Sequence, residues 1–160
     1  MNGGILPLLL LCATVGLVLA RTEWREAWIG VAALGASALL VSFAVFPSQW
    51  QEAIFVGLWL SVIATAVLTY VPRIIARRWA ASAAINAGVW AGSLASISGM
   101  RSGLLPALLI SLILIPGHWV GERISEMPVK VVASWMIAIA CLSMFVSLVP
   151  TPGYEPDHMQ

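Results

Sequence analysis

Six long apolar runs separated by short polar breaks make up almost the whole chain: Ile5 to Ala20, Ala27 to Phe46, Ala53 to Val71, Ala80 to Ser98, Leu104 to Val120 and Val131 to Val149, each to within several residues. A hydrocarbon core roughly 30 Å thick takes about 20 helical residues to cross, so each run predicts a transmembrane helix. The predicted fold class is an all-α polytopic bundle of six spans. Turn-forming or charged residues mark the breaks: Arg21 to Glu26, Pro47-Ser48-Gln49, Pro72 to Arg78, Gly99 to Gly103 and Gly121 to Pro128. Breaks this short make neighbouring spans antiparallel and leave no room for a second domain. Residues 1–149 are read as one transmembrane domain, and 150–160 as a short tail whose prolines and acidic residues suit an unfolded segment.

Basic residues set the orientation, because short loops carrying Lys or Arg stay on the cytoplasmic side. Arg21, Arg25, Arg73, Arg77, Arg78, Arg123 and Lys130 fall on one side and only Arg101 on the other. The seven are predicted to face inward, leaving both termini outside, which in a bacterial inner membrane means the periplasm. A five-span alternative leaves Ala80 to Ser98 uninserted, since its Ala, Gly and Ser content partitions weakly, but the bias then falls to six against two. Val18-Leu19-Ala20 meets the small-residue rule for signal-peptidase cleavage, which would also leave five spans. Met1-Asn2-Gly3-Gly4 lacks the basic side chain of a signal n-region, so the first helix is expected to stay. Trp24, Trp28, Trp50, Trp79 and Trp119 sit at span boundaries, where the indole prefers the headgroup layer. Trp59, Trp90 and Trp135 do not, and must pack on a neighbour or face lipid at depth.

Composition agrees, with 61% apolar and 9% charged residues and a mean hydropathy of +0.97, far from the roughly 25% charged typical of soluble domains. Eight basic residues against seven acidic ones give a net charge of +1, with no polybasic surface to attract nucleic acid or anionic lipid strongly. Cys12 and Cys141 lie far apart within apolar runs and read as small buried hydrophobes.

Within the fourth span, Ala84, Gly88, Gly92 and Ser96 recur every four residues and include a Gly-x-x-x-Gly. Small residues let helix backbones approach closely, a main source of association in lipid. This span is therefore expected at the bundle centre or against a second copy. Asn86, on the same helix, cannot stay unpaired in hydrocarbon. Thr65 and Thr69 of the third span are eligible partners for an interhelical hydrogen bond. The sharper alternative makes Asn86, Trp90 and Ser93 the lining of a solute path. At the end of the fifth span, Pro116 is expected to kink or end the helix. His118 and Glu122, four apart, would share a face there and with Arg123 anchor the chain at the inner headgroup layer. Two ligands do not make a metal site, and His158 lies in the tail on the other side, so no metal or other cofactor is expected.

The middle of every span lacks Asp, Glu, Lys, Arg and His, which ion-coupled transporters place there. No cluster of acid, base, nucleophile or metal ligands appears, so enzymatic activity is not expected. A split near Arg78 gives three spans per half, but Pro106 and Pro116 have no counterparts in the second span, and the small-residue stripe is not echoed in the first. The stretch from Leu105 to Arg123 resembles the end of one repeat in the sulfite-exporter-like carriers, while the rest of the chain lacks their glycine-rich signature. The sequence thus predicts a non-enzymatic scaffold or accessory subunit that packs on another membrane protein or on a second copy of itself. The alternative is a passive small-solute permease or half-transporter completed by dimerisation.

Overall fold

The computed structural model describes residues 5–99, 103–123 and 127–148, which are mostly helical with no strand among them. The helices are α1 (Ile5–Leu19), α2 (Trp24–Ser42), α3 (Gln51–Val67), α4 (Arg73–Ser98), α5 (Leu104–Ile110), α6 (Leu114–Arg123) and α7 (Met127–Leu148), with 3-10 turns at Ser48–Trp50 and Ser111–Ile113. Three helices, Trp24–Ser42, Arg73–Ser98 and Met127–Val146, are long and apolar enough to cross a membrane. Leu6–Leu19, Gln51–Val67 and Leu104–Trp119 are shorter apolar helices.

Prolines set several helix starts. Pro72 is the N-cap of α4, and Pro7, Pro106, Pro116 and Pro128 lie in the first turns of α1, α5, α6 and α7, where their missing N–H breaks no intrahelical bond. Pro116 explains the split fifth rod. It cannot donate to the Leu112 carbonyl and its ring would crowd that group, so the backbone tightens into the 3-10 turn before α6 begins. The bend rests on α1 at Gly16, where a Cβ would come within 2.7 Å of the Ser111 carbonyl oxygen.

α1 occupies the centre. It packs against each of the other helices, and every residue from Leu11 to Ala20 is buried. A helix apolar on all sides can be enclosed without burying unpaired polar groups, and Thr14 meets that condition by donating to the Leu11 carbonyl at 2.8 Å. α4 is inside the bundle as well, packed on α2, α3, α1 and α5 with half of its apolar stretch buried. The sequence reading placed Pro72 to Arg78 in a break, whereas helix begins at Arg73.

α2 and α4 run parallel in near-constant register. Arg77 meets Glu26, Gly88 lies against Leu34 and Ser37, Gly92 lies against Ala38 and Val41, and Ser96 donates to the Ala44 carbonyl. The connecting α3 runs back antiparallel, packing on α1, α4 and α7 rather than α2.

Candidate functional site

The small-residue stripe of α4 is the seam with α2. Ala84, Gly88 and Gly92 are buried, and a Cβ on Gly88 would stand 2.5 Å from the Leu34 carbonyl oxygen. At Gly92 the nearest side-chain atom would be Val41 Cβ, at 2.9 Å.

On another face of α4 the Asn86 amide is used at both ends. Its Nδ2 donates to Ser61 Oγ at 2.7 Å, and its Oδ1 accepts from Trp90 Nε1 at 3.2 Å. The partner from α3 is therefore Ser61. Thr69 donates instead to its own helix, at Ala66 O, 2.7 Å away, while Thr65 lines an open cleft of about 310 Å³ with Ala64, Leu68, Trp79, Ser82 and Asn86. The Trp90 indole lies over Gly57, where any Cβ would collide with it. Ser93 turns from this group and donates to the Val89 carbonyl at 2.8 Å. Of the other two tryptophans away from the boundaries, Trp59 is buried edge-on against Phe55 and Trp135 is 70% exposed on α7.

Most of the described polar chemistry lies at one end of the bundle, where side chains tie helix ends together in pairs. Arg21, just past α1, donates through Nη1 to the carbonyls of Thr69 and Val71, the latter at 3.2 Å, and so places a cation at the C-terminus of α3, where the helix dipole favours it. Arg77 of α4 donates to Glu23 Oε1 at 2.7 Å and, through Nη2 and Nε, to Glu26 Oε1 at 2.7 and 3.0 Å. Tyr70, after α3, donates to the Lys130 carbonyl of α7 and pairs with Ser134 Oγ, both at 2.7 Å. His118 of α6 donates from Nδ1 to the Ala20 carbonyl at 2.9 Å, and its ring lies 5.6 Å from that of Trp24. At the opposite end, Ser96 makes the bond to Ala44 described above.

Of the predicted inner-face cluster, His118 has this tethering role. The side chains of Glu122 and Arg123 lie outside the described residues, as do Arg101 and His158.

Within this collar is a cavity of about 420 Å³ lined by Ala20, Arg21, Thr22, Glu23, Trp24, Arg73, Ile74, Arg77 and His118. Three arginines and a histidine therefore line it together with one glutamate, while Glu26 is bonded to Arg77. The sequence reading grouped these arginines by side but did not bring them together. The signals that could have done so are the i, i+4 spacing of Arg73 and Arg77 and the carboxylates Glu23 and Glu26 at the start of α2.

No family model matches the chain, and neither a curated protein nor a solved structure is similar to it.

Proposed function

We propose that the chain is a six-span inner-membrane bundle, both termini outside and the arginine collar at the cytoplasmic face, acting as a non-enzymatic scaffold or accessory subunit for another membrane protein. The observation that carries this reading is the use made of the polar side chains at mid-depth. The Asn86 amide reaches Ser61 and Trp90, and Ser37, Ser93 and Thr14 bond back to their own helices, while the buried Trp59 indole N–H, packed against Phe55, has no hydrogen-bond partner among the described residues. A solute path needs polar groups to offer its cargo; a packing element needs them satisfied.

The collar supports the same reading. Four side-chain ties between helix ends make a frame suited to holding a fixed outer surface. With the Gly88 and Gly92 stripe turned inward on α2, association falls to an outer face in this reading, and we take that of α7, where Trp135, Leu142, Phe145 and Val146 are exposed. α1 is retained in this reading, because removing residues 1–20 would take the centre out of the bundle.

The test is purification of the tagged chain in mild detergent, with the mass of the complex measured for the wild type and for Trp135→Ser. A second protein at fixed stoichiometry, lost in the variant, is the predicted result. A homodimer that conducts a small solute after reconstitution would favour the second reading, a passive permease completed by dimerisation. What supports that reading is the open cleft beside Asn86.

A further inference from the structure

We propose that the cleft between α3 and α4 seats a second copy of this chain, with Asn86 of each copy hydrogen-bonded to Asn86 of the other. The inference rests on the membrane-inserted association reading above and adds to it a partner and a surface, separate from the outer face of α7.

The cleft retains hydrogen-bonding capacity that packing within one chain does not use. A primary amide carries two N–H groups and two oxygen lone pairs. Asn86 gives one N–H to Ser61 and accepts one bond from Trp90, and the residue is exposed. Thr65, one turn beyond Ser61 on α3, lines the same cleft and is 2% exposed, yet its hydroxyl makes no hydrogen bond among the described residues. The neighbouring hydroxyls are occupied: Thr69 donates to the Ala66 carbonyl, and Ser82 on the α4 wall donates to the Trp79 carbonyl at 2.9 Å. The unused capacity is therefore gathered at Asn86 and Thr65.

Depth decides what can take it up. Asn86 stands at the middle of α4 (Arg73–Ser98), far from both headgroup layers. Lipid tails offer neither donor nor acceptor, and a polar group left unmet in hydrocarbon is costly. Copies of one chain insert with the same orientation, so two of them meet at equal depth about an axis along the membrane normal, and a residue on that axis faces itself. An amide is complementary to itself, because Nδ2 of each copy can donate to Oδ1 of the other. The surroundings suit close approach. Trp79, Ser82, Ala83 and Asn86 take positions i, i+3, i+4 and i+7 of α4 and so share one face, and Ala64 is the exposed small residue across the cleft on α3. Gly88 and Gly92 point into α2 instead, so this seam is distinct from the one inside the chain.

The experiment is disulfide crosslinking of the full chain carrying Cys12→Ala and Cys141→Ala, in native membranes and in vesicles of increasing lipid-to-protein ratio. Ser82→Cys places a thiol one turn from Asn86 on the same face, and Ile139→Cys places one on α7, where the position is 41% exposed. The expected result is a crosslinked dimer from Ser82→Cys and none from Ile139→Cys, with dimer affinity, read from its fall on lipid dilution, weakened about tenfold by Asn86→Leu, as loss of interhelical hydrogen bonds in lipid entails. Asn86→Leu also loosens α3 from α4, so two further variants separate the seam from the fold. Ala64→Trp adds bulk at an exposed wall position and should weaken the dimer as much, whereas Ser61→Ala removes the amide's partner within the chain and should leave the dimer intact. Equal crosslinking from Ser82→Cys and Ile139→Cys, or a dimer indifferent to both Asn86→Leu and Ala64→Trp, would overturn the seam. A Ser82→Cys adduct with a different protein in place of the dimer would overturn the second copy as its occupant. A dimer with no second protein bound at α7 overturns the accessory reading and leaves this inference standing, while a second protein without a dimer does the reverse. Carbonate extraction reports insertion separately, and a chain that is extracted overturns the membrane reading beneath both.

Discussion

Arg77 and Glu26 join the starts of two parallel helices that are not consecutive in the chain, with Nε and Nη2 of the guanidinium both reaching one carboxylate oxygen, at 3.0 and 2.7 Å. Glu23 takes the remaining nitrogen at 2.7 Å. The fork sits at the same register that the α2–α4 seam keeps through Gly88 and Gly92 as far as Ser96 and Ala44.

A partly exposed ion pair of this kind should be sensitive to salt. Arg77→Gln is expected to lower the melting temperature of the detergent-solubilised chain at low ionic strength, with the difference from wild type shrinking toward about 1 M salt, where screening acts over roughly 3 Å. Arg77→Lys should recover part of the loss, because a single ammonium cannot reproduce the fork. Melting curves across a salt series check both.

The seam should discriminate sharply among glycines. Gly88→Ala and Gly92→Ala force a methyl into backbone or Cβ atoms of α2 and are each expected to cost about 1–3 kcal/mol, as overpacking does. Gly35→Ala meets nothing within 4 Å and should be neutral or stabilising by up to about 1 kcal/mol through helix propensity. Denaturant titration of the three variants in one detergent separates close approach from mere helix content.

The bond between Asn86 and Ser61 should behave as a coupled pair. Asn86→Leu and Ser61→Ala are each expected to destabilise by about 1 kcal/mol, typical of interhelical polar contacts in lipid. The double variant should cost less than the sum, giving a coupling energy in a double-mutant cycle. Solute flux that changes in Asn86→Leu while stability does not would favour a path over a packing contact.

The helices were legible because apolar runs of this length have few alternatives, and the breaks because Gly, Pro and Arg interrupt them. What escaped the sequence depended on register and neighbours. α1 is apolar all round, and in a chain this hydrophobic the same pattern serves a lipid-facing helix and an enclosed one. Ser61 and Thr65 lie four apart on one side of α3 and Thr69 follows in the turn after it, so only the offset between α3 and α4 selects Ser61 for Asn86. Helix at Arg73 to Trp79 was hidden because Pro72 and the arginines read as a loop, although proline caps a helix start and arginine is a good helix former. The collar cavity escaped because the sequence sorts Arg21, Arg73 and Arg77 to one side without saying which helix ends meet there.

Because α1 fills the centre, deleting residues 1–20 is expected to abolish folding rather than to yield a mature five-span protein. The full-length chain should keep its N-terminal epitope in native membranes. Mass analysis of the purified chain checks this directly.

The orientation of the bundle is tested most directly by cysteine accessibility in intact cells. In a chain with Cys12→Ala and Cys141→Ala, single cysteines are placed by Gln49→Cys, Arg25→Cys and Met127→Cys, the exposed positions being at opposite ends of the bundle. Losing Arg25 leaves six basic residues against one, so the charge bias survives. A membrane-impermeant maleimide should label position 49 at once, and positions 25 and 127 only after permeabilisation. Labelling of position 127 in intact cells would mean that α4 does not cross, and labelling of position 25 there would contradict a cytoplasmic arginine collar.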